Sequence, residues 1–448
     1  MENEKIDFNE LDEGLSCAKI IGQSDCGILI SSAGARISTT EGTAFSVLKK
    51  SQESDEANVK LVGKVLNSGH KTVIEHHVFN LAFNNVSVIV EQFLIEFRLT
   101  SFTIKSRRYV DFSNAGYYMP AIENAEQREI FEKATNYLFK EYASLMEGGL
   151  IKEDARFLLP YNFKSNILCT VNARELLHIV CTMVYGRGSV YKELVDLGTQ
   201  LKEQLESIYP DLVEKEKSKY SKYAPKAIEI SPKPVEFVES EVELISSTQN
   251  IDEVLASALE TAGLDSFDMS TILTDGKYSR VLEQINFTFK IKNITLASLT
   301  HLTRHRMHSH IIPNLNTIIN DNKYKIAPNI KANPEFEKTY KSAIEKTATT
   351  IENLKELGAE TLSYLYVSGR TIDVLTTMNA RELLWFFKLR TCDRAQWEIR
   401  EIAIQMLKML KAKHGEIFNS FGPSCLVDGR CPEGRLTCGK MKTPKDFE

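Results

Sequence analysis

The residues best suited to chemistry form one short run, in which Arg304 and Arg306 flank His305. Guanidinium groups are rarely buried without an anionic partner, because they are always charged and costly to desolvate. Two of them side by side favour a negatively charged ligand, and a phosphate suits their planar fork. The alternative is that the triplet is the solvated or salt-bridged end of a strand, since the segment before it is apolar and strand-like.

The surroundings of this triplet recur earlier in the chain in altered form. Segment 73–83 resembles segment 281–291, and the sequence Asn-Ala-Arg-Glu-Leu-Leu occurs twice. Matched residues lie 207 or 208 positions apart: Glu75 with Glu283, Arg98 with Arg306, and Asn172 with Asn379. This constant spacing indicates a tandem duplication.

Hydrophobic spacing predicts the elements that must position these motifs. Alternating apolar residues predict strands at 79–83 and 285–291. Helical spacing predicts helices at 57–67, 117–150, 172–183, 190–205 and 399–410. The Gly- and Ser-rich composition of residues 1–45 predicts only a short strand followed or preceded by loop.

A length of 448 residues suits about two to four domains, and the repeat selects two. The segment 213–240 carries a run of four alternating charges and three prolines, which is typical of a linker. We therefore predict a first repeat, a linker, a second repeat and a cysteine-containing tail at 1–212, 213–240, 241–414 and 415–448.

Composition excludes several classes of protein. A hydrophobic fraction of 43% and a charged fraction of 26% are ordinary for a globular chain, and the net charge of −5 gives no basic field for nucleic acid. The first fifteen residues are acidic and polar, and no apolar run approaches the ~18 residues of a membrane span. We expect a cytoplasmic protein that binds neither nucleic acid nor membrane. Eight cysteines without a secretion signal argue against a disulfide framework.

Taken together, the motifs resemble those of the flavin-dependent thymidylate synthases. That family's signature contains Arg-His-Arg, a serine three residues on, and then Ser-x-Arg-Tyr, with Gly-His and Glu-His upstream. Downstream come an arginine before Leu-Pro, then Asn-Ala-Arg, Leu-Arg and Ala-Gln-Trp-Glu. The resemblance covers nearly the whole chain except the linker and tail. It implies an α+β fold, a twisted antiparallel sheet with helices, present here as two tandem copies.

Each repeat keeps a different part of the signature. The first repeat keeps Gly69-His70, Glu75-His76, Ser101, Ser106, Arg108-Tyr109, Arg156 and Asn172-Ala-Arg174. It has lost the triplet, which reads Glu96-Phe97-Arg98, and Met183 replaces the later arginine. The second repeat keeps Arg304-His305-Arg306, Ser309, Asn379-Ala-Arg381, Leu389-Arg390 and Ala395-Gln-Trp-Glu398. Its losses are Tyr278, Asn314-Leu-Asn316 and Ser363, so the two sets of losses are complementary.

The resemblance implies an enzyme that converts dUMP into dTMP with methylene-tetrahydrofolate, NADPH as reductant and FAD. It also implies active sites shared between the subunits of a tetramer, so we expect a homodimer that forms a pseudo-tetramer. Two alternatives stay open. One is a degenerate homologue that binds flavin or nucleotide without turnover, and the other is a related C5-methyltransferase acting on another uridine nucleotide.

The resemblance also implies roles for individual residues. Arg390 is the predicted catalytic residue, a cation that stabilises the uracil anion as N3 loses its proton. The predicted substrate-binding residues are Ser106, Arg107, Arg108, Arg156, His301 and Arg304. The predicted flavin-binding residues are His70, Thr72, Asn172, Arg174, His178, Arg304, His305, Arg306, Asn379 and Arg381. No cysteine attacks the pyrimidine in that family, because reduced flavin carries the chemistry.

Some of these residues have simpler explanations. Each Asn-Ala-Arg could merely start a helix, His70 could satisfy a turn, His178 could lie at the edge of the core, and Arg390 could pair with Asp393. The histidines at 301, 305, 308 and 310 lack metal-ligand spacing, so we predict no metal there. Cys425, Cys431 and Cys438 could bind zinc with a fourth ligand from elsewhere, or form a reduced, loosely ordered tail.

Overall fold

The computed structural model describes residues 14–223, 225–274 and 276–447, without the side chains of Thr274 and Glu416. Most of the acidic N-terminal segment, residues 1–13, therefore lies outside the described residues. Within the described part of the chain, no helix is both long enough and apolar enough to cross a bilayer.

The first repeat contains one antiparallel sheet with its strands in the order β1-β2-β4-β3. The strands are β1 Cys17–Gln23, β2 Val78–Ser87, β3 Ser101–Ile104 and β4 Lys164–Asn172. The helices are α1 Gly27–Ile37, α2 Ala44–Ser51, α3 Asp55–Asn67, α4 Val88–Leu94, α5 Ala125–Glu147, α6 Lys152–Ala155, α7 Ala173–Val184, α8 Lys192–Ile208 and α9 Lys217–Tyr220.

The rest of the chain contains a second antiparallel sheet, ordered β6-β7-β10-β8, and a short parallel pair of β5 with β9. The strands are β5 Glu236–Phe237, β6 Glu241–Ser247, β7 Asn286–Thr295, β8 Ser309–Ile311, β9 Lys323–Tyr324 and β10 Thr371–Asn379. The helices are α10 Ile251–Ala262, α11 Met269–Thr274, α12 Leu296–Leu302, α13 Pro328–Lys331, α14 Pro334–Asn353, α15 Ala359–Leu362, α16 Ala380–Arg390, α17 Trp397–Phe418 and α18 Ser424–Val427.

Both four-stranded sheets have the same plan, which confirms the predicted α+β fold in two copies. Each carries an irregularity at a matched asparagine, Asn85 with φ 50° and Asn293 with φ 54°. Asparagine tolerates this left-handed conformation better than most residues, and a bulge there bends the strand. The duplication therefore copied local distortions as well as the strand order.

The core of each repeat lies against one face of its sheet. Strand β2 buries Phe79, Leu81 and Phe83, which confirms the period-two prediction. Helix α8 packs on β1 with a buried stripe that includes Leu194 and Leu201. Strand β7 buries its alternate residues in the same way, and α17 packs on β6 and β7.

Three local predictions need correction. The helix predicted at 117–150 begins only at Ala125, because the side chain of Asn124 caps it by accepting from the amides of Glu126 and Gln127. Residues 27–37, expected to be loop, form helix α1. The apolar segment before Arg304 is helix α12 and not a strand. The helices predicted at 57–67, 172–183, 190–205 and 399–410 are confirmed as α3, α7, α8 and α17.

The chain divides into two compact units, and each unit includes a segment from the opposite repeat. Unit 1 runs to Lys152 and adds 159–231 and 349–366, whereas unit 2 consists of 153–158, 232–348 and the chain from Val367 onward. The predicted boundaries at 212, 240 and 414 stay predictions. Helix α9 and strand β5 both lie within the predicted linker.

Candidate functional site

Unit 2 collects the basic residues that the sequence singled out in the second repeat. His301 lies on α12, the turn that follows carries Arg304, His305 and Arg306, and Arg390 is the last residue of α16. Arg304 and Arg306 are exposed, whereas His305 is only 3% exposed. The triplet therefore directs its two cations outward and its histidine into the unit.

His305 and Arg390 form the central contact of this site. The Nε–H of Arg390 donates a hydrogen bond to Nε2 of His305 at 3.0 Å. Because Nε2 must then be the acceptor, the proton of the neutral ring lies on Nδ1. Burial, with the charge of Arg390 as a smaller cause, lowers the pKa of His305 to about 3. Asp393, the alternative partner predicted for Arg390, pairs with Arg400 and Lys442.

Glu382 lies on the other side of the same imidazole ring. Its Oε1 is 3.3 Å from Nδ1 of His305, without a well-aligned hydrogen bond. Burial raises the pKa of Glu382 to about 7. The ring of Phe386 meets His305 edge-on at 4.9 Å. Glu382 belongs to the repeated Asn-Ala-Arg-Glu motif, but no role was predicted for it from the sequence. Its position three residues after Asn379 was the one feature that could have drawn attention to it.

A cation from the first repeat belongs to the same unit. Arg156 is 2% exposed, and its Nη2 lies 3.5 Å from Nε2 of His301. Its Nε–H donates to the backbone carbonyl of Glu153 at 3.1 Å. The matched position in the second repeat is Ser363, so unit 2 obtains from the first repeat an arginine that its own repeat has lost.

The two Asn-Ala-Arg motifs have the same local structure. Asn379 caps α16 by accepting from the amide of Glu382 at 2.8 Å, and Arg381 pairs with Glu283 at 2.5 Å. In unit 1, Asn172 caps α7 at 2.9 Å from the amide of Glu175, and Arg174 pairs with Glu75 at 2.5 Å. Helix capping, the simpler explanation for the asparagines, is therefore observed in both copies.

Unit 1 has a different chemistry at the position of the triplet. Glu96 pairs with Arg187 at 3.1 Å, and Arg187 lies over the ring of Phe93 at 4.4 Å. Burial raises the pKa of Glu96. Phe97, which matches His305, packs edge-on against His178 at 5.2 Å. An internally paired carboxylate and a phenyl ring thus replace the first two residues of the triplet.

The remaining flavin-binding predictions in unit 1 lie at its surface. His70 and Thr72 are exposed, at the start of a 3₁₀ helix over Lys71–His76. Nδ1 of His178 is hydrogen-bonded to the hydroxyl of Tyr220 at 2.8 Å. Burial and nearby cations lower the pKa of His178.

The loop after β3 carries the predicted phosphate-binding residues. Ser106 Oγ accepts from the amide of Arg108 at 3.3 Å, which closes a tight turn. Arg107 points into unit 1 and pairs with Glu91 at 2.7 Å, with both side chains almost fully buried. Arg108 is half-buried and lies over the ring of Tyr109 at 5.4 Å. No sequence pattern predicted the pairing with Glu91, which holds the loop against the buried side of unit 1.

The sequence offers two groups of candidate metal ligands, the histidines at 301–310 and the cysteines of the tail. Among the residues that the structure describes, no three His, Cys, Asp or Glu residues are arranged to hold a metal ion. His308 is instead hydrogen-bonded to Thr376 and His310, each at 3.0 Å.

Comparison with known proteins finds a family model that matches both repeats, and individual relatives that each match about half of the chain. The family model described as thymidylate synthase complementing protein matches twice, over residues 28–211 and 235–415. A flavin-dependent thymidylate synthase from Geobacter sulfurreducens is 35% identical over 220 residues, which cover 48% of this chain and 93% of that protein. The enzyme of that name from Clostridium tetani is 32% identical over 240 residues, covering 49% and 94% of the two chains.

A solved structure also resembles part of the chain. Thymidylate synthase X from Helicobacter pylori, crystallised with FAD and dUMP, is 18% identical, with a TM-score of 0.35. The likeness covers 44% of this chain and 99% of that one. The two separate family matches, each about the length of one repeat, confirm the tandem duplication.

Proposed function

The chain belongs to the thymidylate synthase complementing protein family, and we propose that it is a flavin-dependent thymidylate synthase that converts dUMP into dTMP. The observation that carries this proposal is the contact of Arg390 with neutral His305 in unit 2. A guanidinium is permanently charged, and the contact with His305 does not neutralise it, because the imidazole ring is neutral.

Arg390 has the properties needed beside the uracil ring. Because a guanidinium cannot lose its proton near neutral pH, it stabilises the N3 anion without acting as a base. His305 orients Arg390 through Nε2, and Glu382 and Phe386 fix the His305 ring in turn. Such preorganised stabilisation costs no rearrangement when the charge develops.

The residues present in unit 2 fit a flavin dinucleotide. Arg304 and Arg306 are exposed cations on one turn, and guanidinium forks suit the paired oxygens of a diphosphate. We propose that they hold FAD together with His305, Asn379 and Arg381. The flavin contacts predicted in unit 1 would be made either by the same chain or by a second copy of it. These residues are His70, Thr72, Asn172, Arg174 and His178. When bound, the reduced flavin supplies the electrons for the reaction.

The phosphate of dUMP needs cations and amide donors. We propose that Arg108 and the turn at Ser106 bind it, with Arg107 shaping the loop through Glu91. Arg156 and His301 add a second polar contact to the substrate, with Arg304 near the nucleotide. NADPH as reductant and methylene-tetrahydrofolate as carbon donor complete the proposed reaction.

We further propose a homodimer that forms a pseudo-tetramer with one FAD per chain. The support is the Glu96–Arg187 pair, since a carboxylate at the triplet position repels a dinucleotide phosphate. The duplication leaves each repeat free to lose residues that the other supplies.

A direct assay tests the function. Purified protein should show flavin absorbance that NADPH bleaches, and should form dTMP from dUMP and methylene-tetrahydrofolate. UMP in place of dUMP serves as the comparison, because preferred methylation of UMP would indicate the alternative C5-methyltransferase. Flavin binding without any nucleotide methylation would instead favour the degenerate homologue.

A further inference from the structure

A buried carboxylate lies two residues before Arg156. Asp154 has no exposed surface, and its two oxygens accept hydrogen bonds from different parts of unit 2. The indole N–H of Trp397 donates to Oδ1 at 3.0 Å, and the side-chain amide of Asn329 donates to Oδ2 at 2.8 Å. We call Asp154, Asn329 and Trp397 the latch.

The ring of Trp397 also holds the residue that follows Arg156. It stacks on Phe157 with the ring centres 5.8 Å apart and the planes 24° apart. Nζ of Lys325, itself almost fully buried, lies 5.0 Å from the Trp397 ring. The backbone carbonyl of Phe157 accepts from the amide of Gly369 at 2.9 Å. Segment 153–158 is therefore fixed on both sides of Arg156.

The other repeat provides an internal comparison, because it has neither the latch residues nor the arginine. Helix α6 matches α15, which puts Thr361 at the position of Asp154, and Ser363 at that of Arg156. Helix α8 matches α17, and both begin one residue before a buried glutamate, so Lys192 stands where Trp397 does. Ala121 follows Pro120 as Asn329 follows Pro328.

Segment 349–366 nevertheless packs into unit 1 without a latch. The hydroxyl of Tyr364 donates to Glu193 at 3.0 Å, and the Tyr364 carbonyl accepts from the amide of Asn162 at 3.0 Å. Packing of this kind of segment thus needs neither an aspartate nor a tryptophan. The polar latch is present where the segment carries an arginine and absent where it carries a serine.

We infer that the latch of Asp154, Asn329 and Trp397 is a positioning device that holds Arg156 toward His301 for binding of the substrate nucleotide. The inference rests on the proposed function, since it takes dUMP as the nucleotide. Asp154 acts through Arg156 and is a positioning residue, not a catalytic one.

The test uses the full-length protein with the substitution Asp154→Asn. The asparagine side chain has only one oxygen that can accept a hydrogen bond. Its NH₂ group must therefore face one of the two donors, Trp397 or Asn329, and that hydrogen bond is lost. We expect the KM for dUMP to rise at least tenfold, as after Arg156→Ala, with kcat and flavin absorbance unchanged. The two effects should not add in the double variant, because both act through one contact.

A reciprocal exchange provides the rescue. Adding Asn329→Asp to Asp154→Asn lets the amide at 154 donate to the carboxylate at 329 while it still accepts from Trp397. Asn329 is exposed, so the change adds no buried charge. The KM for dUMP should return to within about twofold of the wild-type value. A purely structural role would not produce rescue of dUMP affinity alone.

Two further measurements make the outcome decisive. Trp397→Phe keeps the stacking on Phe157 but removes the N–H, so it serves if Asp154→Asn does not fold. Hydrogen exchange of amides 153–158 should accelerate in both variants and not in Lys192→Ala, the matched exposed position in unit 1. If neither hydrogen exchange nor dUMP affinity changes in these variants, the latch does not position Arg156. An equal loss of FAD and dUMP binding would also contradict the inference, because it would indicate general disruption of the fold. If the wild type makes no dTMP, the proposed function fails, and the exchange measurement still reports on the latch.

Discussion

The Nε–H of Arg390 donates to Nε2 of His305 at 3.0 Å, which makes a neutral histidine the partner of the predicted catalytic cation. The same two positions in the first repeat are Met183 and Phe97, neither of which can form this bond. Unit 2 is therefore the only unit of the described chain in which this pair of residues can meet.

Arg390→Ala should lower kcat by about 10²–10³, the usual cost of one preorganised electrostatic group. Flavin absorbance and the folded state should be retained, because Arg390 lies at the last turn of α16. Steady-state dTMP formation measures the effect, with Met183→Leu at the matched position as the control of unchanged activity. Undiminished turnover in Arg390→Ala would show that the cation is not needed.

Arg108→Ala should weaken dUMP binding by roughly 1.5–3 kcal/mol, since it removes a charge-assisted contact to the phosphate. The measurement is a dUMP titration of the flavin-loaded protein. Lys105→Ala is the control, because it removes an exposed positive charge from the same loop. Equal losses in the two variants would mean that only the general charge of the loop matters.

FAD should saturate at one molecule per chain. The triplet of unit 2 has exposed Arg304, whereas Glu96 at the matched position in unit 1 is paired with Arg187. An absorbance titration against protein concentration gives the ratio, and Arg304→Ala should reduce it below one while Glu96→Gln leaves it unchanged. A plateau at two FAD per chain would contradict the assignment of unit 1 as the lost site.

Mixed assembly should reveal how the divided site is built. Arg108→Ala and Arg390→Ala each carry one lesion, in different repeats. If the site combines repeats from two chains, dissociating and reassembling the two impaired variants together should restore part of the activity. Light scattering should show a dimer at micromolar concentration, and an active monomer would exclude the pseudo-tetramer.

Stability should depend on pH through Glu382. Its pKa is about 7 in the folded protein against 4.5 for the ordinary carboxyl. Between these values the folded state keeps a proton that the unfolded chain has released, so this group lowers the free energy of unfolding by up to about 1.4 kcal/mol per pH unit as pH rises. Urea unfolding should show Glu382→Gln gaining stability relative to wild type from pH 4.5 to 7.

His305 opposes this trend, because its pKa is lowered to about 3 and its contribution to stability rises with pH between that value and 6.5. Glu382→Gln keeps the burial and the Arg390 charge that lower the pKa of His305, so we expect a similar contribution from His305 in both proteins. The control Glu260→Gln changes an exposed carboxylate on α10 and should show no such pH-dependent difference. If the free energies of unfolding of wild type and Glu382→Gln differ by the same amount at every pH, Glu382 does not have the predicted raised pKa.

The sequence predicted what depends on local pattern. Alternation located β2 and β7, and the Asn-x-x spacing before Glu175 and Glu382 fits the observed helix caps. Local patterns could not predict contacts between residues that are far apart in the chain. Arg107 and Glu91 are 16 residues apart, and Asp154 and Trp397 are 243 apart, so only the folded chain brings each pair together. Helix α1 was missed because its serines and glycines carry little helical periodicity.

The exchanged segments also determine when each unit can be finished during synthesis. Unit 1 includes residues 349–366, so the first repeat has left the ribosome long before the last piece of its unit exists. During synthesis, unit 1 therefore remains incomplete until residue 366 has been added to the chain. For the same reason, splitting the gene within 213–240 would give two products, each lacking a segment of its own unit. The covalent join between the repeats ensures that both segments are always made together.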